Sequence, residues 1–343
     1  MKALLYKAPK VLELIDIPKP APKDGEVLLK VRACAICGSD VHGWHGTNGR
    51  REPPMVMGHE LSAEVKVLGS GCKDLAVGDA VAIQPLIPCW ECDYCKKGME
   101  NICPTRRVLG VLSENGAMTE YITMPEKHCF LMPAGMNFAT GSLAEPFAVS
   151  YSAVKKAGDL AGKNVLVVGG GTIGLLALMA AGLQNPGKLA LSDLSDSRLA
   201  VAKKLGAHAT INPAREDFDA KIDEIFGGEK ADVTIEAVGA SPTVNQAINA
   251  TAPGGICVWI GNDRKTIEIN MQSIVTREVT VKGTYMFTHE EFGEAIERLS
   301  QLDVGGIISA ELPLEGVPAM FEELASSPDK YLKCIINFTT VAE

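Results

Sequence analysis

The stretch VLVVGGGTIGLLALMAAGL, residues 165–183, is compatible with few folds. Four apolar residues run into three glycines, and a second apolar run follows without a single charge. Gly169, Gly171 and Gly174 form G-x-G-x-x-G directly after a strand-like run and directly before a helix beginning near Ile173. In that setting the first two glycines permit a tight turn and close approach to a pyrophosphate. The third lets helix pack on strand, and the helix N-terminus attracts negative charge. An uncharged run of this length also raises a membrane span. Three glycines and a strand-to-helix switch in its middle instead make it buried core.

Asp193 stands nineteen residues beyond Gly174, at the end of the strand-like KLALS. A carboxylate there accepts hydrogen bonds from both ribose hydroxyls and repels a 2′-phosphate, which favours NAD over NADP. The competing role is a cap on the helix starting near Ser197. Arg198 lies along the adenosine or is an exposed helix arginine. The expected cofactor-binding set is Gly169, Gly171, Thr172, Ile173, Gly174, Asp193 and Arg198.

Around this site the chain changes texture. Residues 1–150 carry short strand-like runs punctuated by turn residues, among them EVLLKVRACAIC, SAEVKVLG, DAVAIQPL and GAMTEYITMP, which reads as a compact β domain. From 151 to 287, successive buried strands alternate with helical segments, the pattern of an α/β domain with a doubly wound parallel sheet. Residues 288–343 read as two amphipathic helices, HEEFGEAIERLSQL and EGVPAMFEELASS, and a closing strand, YLKCIINF.

Composition narrows the partners. The 343 residues carry a net charge of −9, which speaks against a phosphate-backbone partner and for small molecules. The N-terminal MKALLYKAPK has no apolar export signal, so a cytoplasmic location is expected. In a reducing compartment the ten cysteines are free thiols or metal ligands rather than disulfides. Cys89, Cys92, Cys95 and Cys103 follow C-x2-C-x2-C-x7-C, four soft thiolates able to close around one zinc ion in a lobe at 88–104. An iron–sulfur cluster uses the same ligands, but the chain supplies no electron-transfer context.

Three further stretches hold candidate ligands: CAICGSDVHGW with Cys37, MGHELSAE with His59 and Glu60, and SLAEPFAVS with Glu145. Each is weak alone. Together, C-G-S-D-x-H at 37–42, G-H-E at 58–60, the four-cysteine lobe, E-P at 145–146 and the glycine fingerprint make the whole chain resemble a zinc-dependent medium-chain dehydrogenase of the polyol branch, close to sorbitol and galactitol-phosphate dehydrogenases. The resemblance implies a GroES-like catalytic domain before a Rossmann domain, with the C-terminal segment returning to the catalytic domain. It also implies two zinc ions per chain, one catalytic and one structural, with NAD as cofactor. Cys37 and His59 would bind the catalytic zinc, completed by either Glu60 or Glu145. Ser39 would relay the proton and His42 would pass it through the cofactor ribose towards solvent.

The same resemblance implies reversible oxidation of a secondary alcohol, a polyol or polyol phosphate, with threonine or butanediol as alternative substrates. A homodimer or homotetramer is expected, without nucleic-acid or membrane partners. The chain departs from the sorbitol type at two positions. Gly43 stands where an aromatic hydroxyl follows the relay histidine, and Met286 where an arginine closes the last Rossmann strand. Two polar contacts to a sugar chain are thereby lost, which disfavours free sorbitol. Arg50 and Arg51 are either a phosphate fork or an exposed basic loop.

Overall fold

The computed structural model describes residues 1–46, 49–112 and 114–338, so the last five residues of the expected C-terminal segment lie outside the described residues. The chain divides into two compact units, one of Met1–Glu145 with Thr288–Glu343 and the other of Pro146–Phe287. The first division falls inside the helix Ala144–Ala157.

In the first unit the strand Glu26–Ala35 is central to a seven-stranded sheet. Val27, Leu29, Val31, Cys34 and Ala35 are all fully buried, so this β-branched and aliphatic run is covered along its length. It pairs antiparallel with Glu60–Leu68 on one side and with Lys333–Asn337 on the other, while Tyr121–Pro125 pairs with its first half. The register sets Ala35 opposite both Glu60 and Ile335. One strand end therefore gathers residues from three distant parts of the sequence. A smaller sheet of Val11–Asp16, Lys2–Ala8 and Met55–Val56 packs into the same core, with Leu4, Tyr6, Leu61, Ile83 and Phe321 buried. Each such side chain contributes roughly 1.5–3 kcal/mol.

The second unit is a six-stranded parallel sheet in the order Ala209–Ile211, Lys188–Ser192, Asn164–Val168, Ala231–Glu236, Thr251–Trp259, Thr280–Gly283. This is the doubly wound order, with its switch point beside the strand that precedes the glycine fingerprint. The uncharged run at 165–183 is that strand followed by the helix Thr172–Gly182, in which eight residues from Gly174 to Ala181 are buried. Among the described residues no helix is long and apolar enough to cross a membrane.

Candidate metal and cofactor sites

Cys37 follows the central strand and stands at the N-cap of the short helix Gly38–Trp44, with extended backbone at φ −81°, ψ 144°. His59 and Glu60 lie where the neighbouring strand begins, opposite Ala35. The sheet register thus joins two motifs twenty-two residues apart, and ligand atoms of Cys37, His59 and Glu60 all lie within 4.8 Å of one another. Sulfur, nitrogen and oxygen donors in one pocket suit a catalytic zinc with a position left for substrate. Burial, reinforced by the Glu60 carboxylate, pushes the Cys37 thiol up to about 11. A cation there would reverse that preference.

Glu145 enters at the first turn of the helix Ala144–Ala157 and is 7% exposed. Burial raises its carboxyl to about 8, with His59 drawing it down and Glu60 pushing it further up. It is near the pocket but outside the group whose donor atoms all converge, which comprises Cys37, His59 and Glu60.

The lobe sulfurs of Cys89, Cys92, Cys95 and Cys103 also converge within 4.8 Å. The Sγ–Sγ separations are 3.9 Å for Cys89–Cys95, 3.4 Å for Cys92–Cys95 and 3.5 Å for Cys89–Cys103. Zinc–sulfur bonds of ~2.3 Å arranged tetrahedrally require edges of about 3.8 Å, so the four thiols fit one ion. Backbone N–H groups of Glu91 and Cys92 and the Thr105 hydroxyl draw Cys89 down to about 6, preparing a thiolate. The lobe is docked within its unit: Glu100 accepts from the His289 backbone N–H at 2.5 Å, and Gln84 Oε1 lies 3.0 Å from His128 Nδ1 and 2.7 Å from His289 Nδ1.

In the second unit the fingerprint turns between strand and helix. Gly169 takes φ +104°, and a Cβ on Gly174 would stand 1.8 Å from the Gly169 carbonyl oxygen, so both positions require glycine. Gly171 caps the helix, which places Thr172 and Ile173 in its first turn. Asp193 Oδ2 accepts from the Gly170 N–H at 2.6 Å, and its Oδ1 accepts from the Ser195 N–H at 2.8 Å. Ser195 holds the N-cap position of the helix Asp196–Lys204 without a side-chain cap bond, and Asp193 ties the glycine loop to that helix start. Arg198 Nη1 lies 3.9 Å from Asp193 Oδ2.

Residues 23–134 match the family described as Alcohol dehydrogenase GroES-like domain, and residues 172–301 match Zinc-binding dehydrogenase. The chain is 35% identical to sorbitol dehydrogenase of Ovis aries over 327 residues, 93% of this chain and 92% of that one. It is 35% identical to D-xylulose reductase A of Aspergillus niger over 320 residues, 91% and 89%. The crystal structure of galactitol-1-phosphate dehydrogenase from Escherichia coli superposes with a TM-score of 0.91 at 27% identity, covering 98% and 100% of the two chains. The chain belongs to the zinc-dependent medium-chain dehydrogenases.

Sequence reasoning missed the roles of two residues of this dehydrogenase and misread a third. Lys333 is 3% exposed, and its Nζ donates to both Glu60 oxygens at 2.7 and 3.0 Å and to the Ile36 carbonyl at 3.2 Å. Burial opposes its charge, but Glu60 and Cys37 outweigh that and raise its pKa. Its signal was a lone cation inside the apolar strand YLKCIINF. Asp40, fully buried, is the second, and its Oδ1 lies 3.5 Å from His59 Nδ1. The third is Arg51, which the structure corrects. It is neither a phosphate fork on a loop nor exposed, because its side chain is 2% accessible and paired with Asp40. Ser39 Oγ lies 3.1 Å from Cys37 Sγ, and His42, in the last turn of the same helix, is exposed.

Proposed function

We propose that the dehydrogenase reversibly oxidises a secondary alcohol of the polyol class to a ketone, passing hydride to NAD. The observation that carries this reading is the convergence of Cys37, His59 and Glu60 donors beside the Ser39 hydroxyl. A zinc ion held by those residues supplies the Lewis acidity that makes an alcohol hydroxyl easier to deprotonate. Cys37, His59 and Glu60 would hold it, with Glu145 as the second carboxylate beside them. Ser39 receives the substrate proton and His42 delivers it towards solvent. The carbon-bound hydrogen leaves as hydride to the nicotinamide and the hydroxyl proton leaves through Ser39, so two electrons and two protons are removed in all and a carbonyl remains.

For the cofactor, the carboxylate of Asp193 at the glycine loop favours the ribose diol of NAD and repels the 2′-phosphate of NADP. The four-cysteine lobe takes the structural zinc. The sorbitol, xylulose and galactitol-phosphate relatives support a polyol or polyol phosphate as substrate. We place the enzyme in the cytoplasm, in keeping with ten cysteines of which none is in a disulfide, and as a homo-oligomer.

The test is an initial-rate panel of sorbitol, xylitol, galactitol, their phosphates, threonine, butanediol and simple secondary alcohols, each with NAD and NADP. Highest kcat/KM for a polyol or its phosphate with NAD is the expected result. Preference for a small apolar alcohol, or for NADP, overturns the corresponding part.

A further inference from the structure

Two residues of the first unit break ordinary rules in ways that explain each other. Gly43 lies inside the helix Gly38–Trp44 without a positive φ, so its backbone does not need glycine, and a helical glycine costs about 1 kcal/mol relative to alanine. Arg51 is a buried arginine, a residue type that is almost never fully buried unless paired. A Cβ added at Gly43 would stand 2.8 Å from Arg51 Cγ, 2.9 Å from Arg51 Cβ and 3.1 Å from Arg51 Cδ. The missing side chain at 43 is therefore the space through which the Arg51 stem passes.

That passage delivers the guanidinium to the catalytic pocket. Its Nε and Nη2 donate to Asp40 Oδ1 at 3.1 and 2.6 Å, and Nη2 also donates to Ser39 Oγ at 2.9 Å. A hydroxyl has one hydrogen and two lone pairs, whereas a guanidinium only donates. Arg51 therefore fixes where the Ser39 oxygen stands, and a proton that this oxygen takes from the alcohol is matched by release of the hydroxyl's own hydrogen onward to His42. Arg51 Nη2 is also 3.4 Å from His59 Nδ1. If His59 binds metal through Nε2, its Nδ1 carries hydrogen, and the Asp40 oxygen fixed by Arg51 is the acceptor facing it.

We propose that Arg51 is a positioning residue for the oxidation, holding Ser39 to take the substrate proton and Asp40 to hold His59, and that Gly43 exists to admit it. This rests on the catalytic reading above. It also changes the meaning of Gly43, whose space is filled from within the chain rather than opened to substrate.

The test is a double-mutant cycle of wild type, Gly43→Ala, Arg51→Ala and the double variant, with Arg51→Lys as the conservative control. Independently of turnover, Gly43→Ala should lower Tm clearly more in the wild-type background than in the Arg51→Ala background, where only the 2.9 Å contact with Cβ remains and the helix gains from alanine; equal shifts in both overturn the coupling. Zinc content per chain and Kd for NADH should match wild type. Arg51→Ala should lower kcat roughly 10- to 100-fold with little change in alcohol KM, and should increase the solvent deuterium isotope effect on kcat. Arg51→Lys should recover part of the loss, and Gly43→Ala should reproduce the loss but add nothing to Arg51→Ala. Unchanged kcat in Arg51→Ala, additive losses, or loss of zinc in both Arg51 variants overturns the positioning role. If wild type oxidises no alcohol in the panel, the functional reading fails, and the Tm cycle still decides whether residues 43 and 51 are coupled.

Discussion

Lys333 Nζ sits 2.7 and 3.0 Å from the two carboxylate oxygens of Glu60, and the two side chains are 3% and 1% exposed. An ion pair out of water gains little overall, but a single charge left behind is costly. In the zinc-free protein Lys333→Met should therefore destabilise the fold by about 3–5 kcal/mol, and adding Glu60→Gln should recover most of that. Urea unfolding of the two variants measures both quantities. The single variant should also shift zinc affinity, because Glu60 loses the cation that holds it in place.

The lobe predicts a simple stoichiometry. Elemental analysis should find about two zinc ions per chain, and Cys95→Ser should leave about one, since one thiolate of a closed tetrahedral set is gone. Its Tm should fall while Kd for NADH, set by the glycine loop of the second unit, stays near wild type. Loss of both ions in Cys95→Ser would argue that the lobe and the catalytic pocket do not bind metal independently.

At the dinucleotide site, Asp193→Ala removes two hydrogen bonds that order the loop as well as the carboxylate itself. A charge-assisted hydrogen bond is worth about 1.5–3 kcal/mol, so KM for NAD should rise roughly 10- to 100-fold. KM for NADP should fall, since the repelling charge has gone. Steady-state kinetics with both cofactors decide the point, and unchanged rejection of NADP would move the discrimination to another residue.

His128 makes stability depend on acid. Burial first, and then the neighbouring His289, Lys127 and Arg107, hold its imidazole down to about 3 from 6.5. The unfolded chain takes up this proton near pH 6.5 and the folded chain resists it. Stability is thus intact above pH 6.5 and is lost as pH falls towards 3, by up to about 1.4 kcal/mol per pH unit. His289 is lowered by burial too, partly offset by Glu100, and acts in the same direction. His128→Gln should flatten the acid limb of a Tm-against-pH curve.

Much of this was present in linear order. The glycine fingerprint, the four-cysteine spacing and the strand texture are local signals, because turn geometry and ligand spacing depend on residues a few positions apart. They pointed to the β domain, the doubly wound sheet and the four-cysteine segment, whereas Cys37, His59 and the two glutamates entered through the family resemblance. What the tertiary structure decided is long-range. Lys333 meets Glu60 across 273 positions through the shared register on the central strand, and no local pattern encodes such a pairing. Of the two candidate carboxylates, sheet pairing brings Glu60 into the Cys37 and His59 group, while Glu145 arrives on a helix beside it. Gly43 read as a lost contact and Arg51 as a loop charge, because whether a side chain is buried depends on what the fold places around it. Only the packed chain shows that one vacates the volume the other fills.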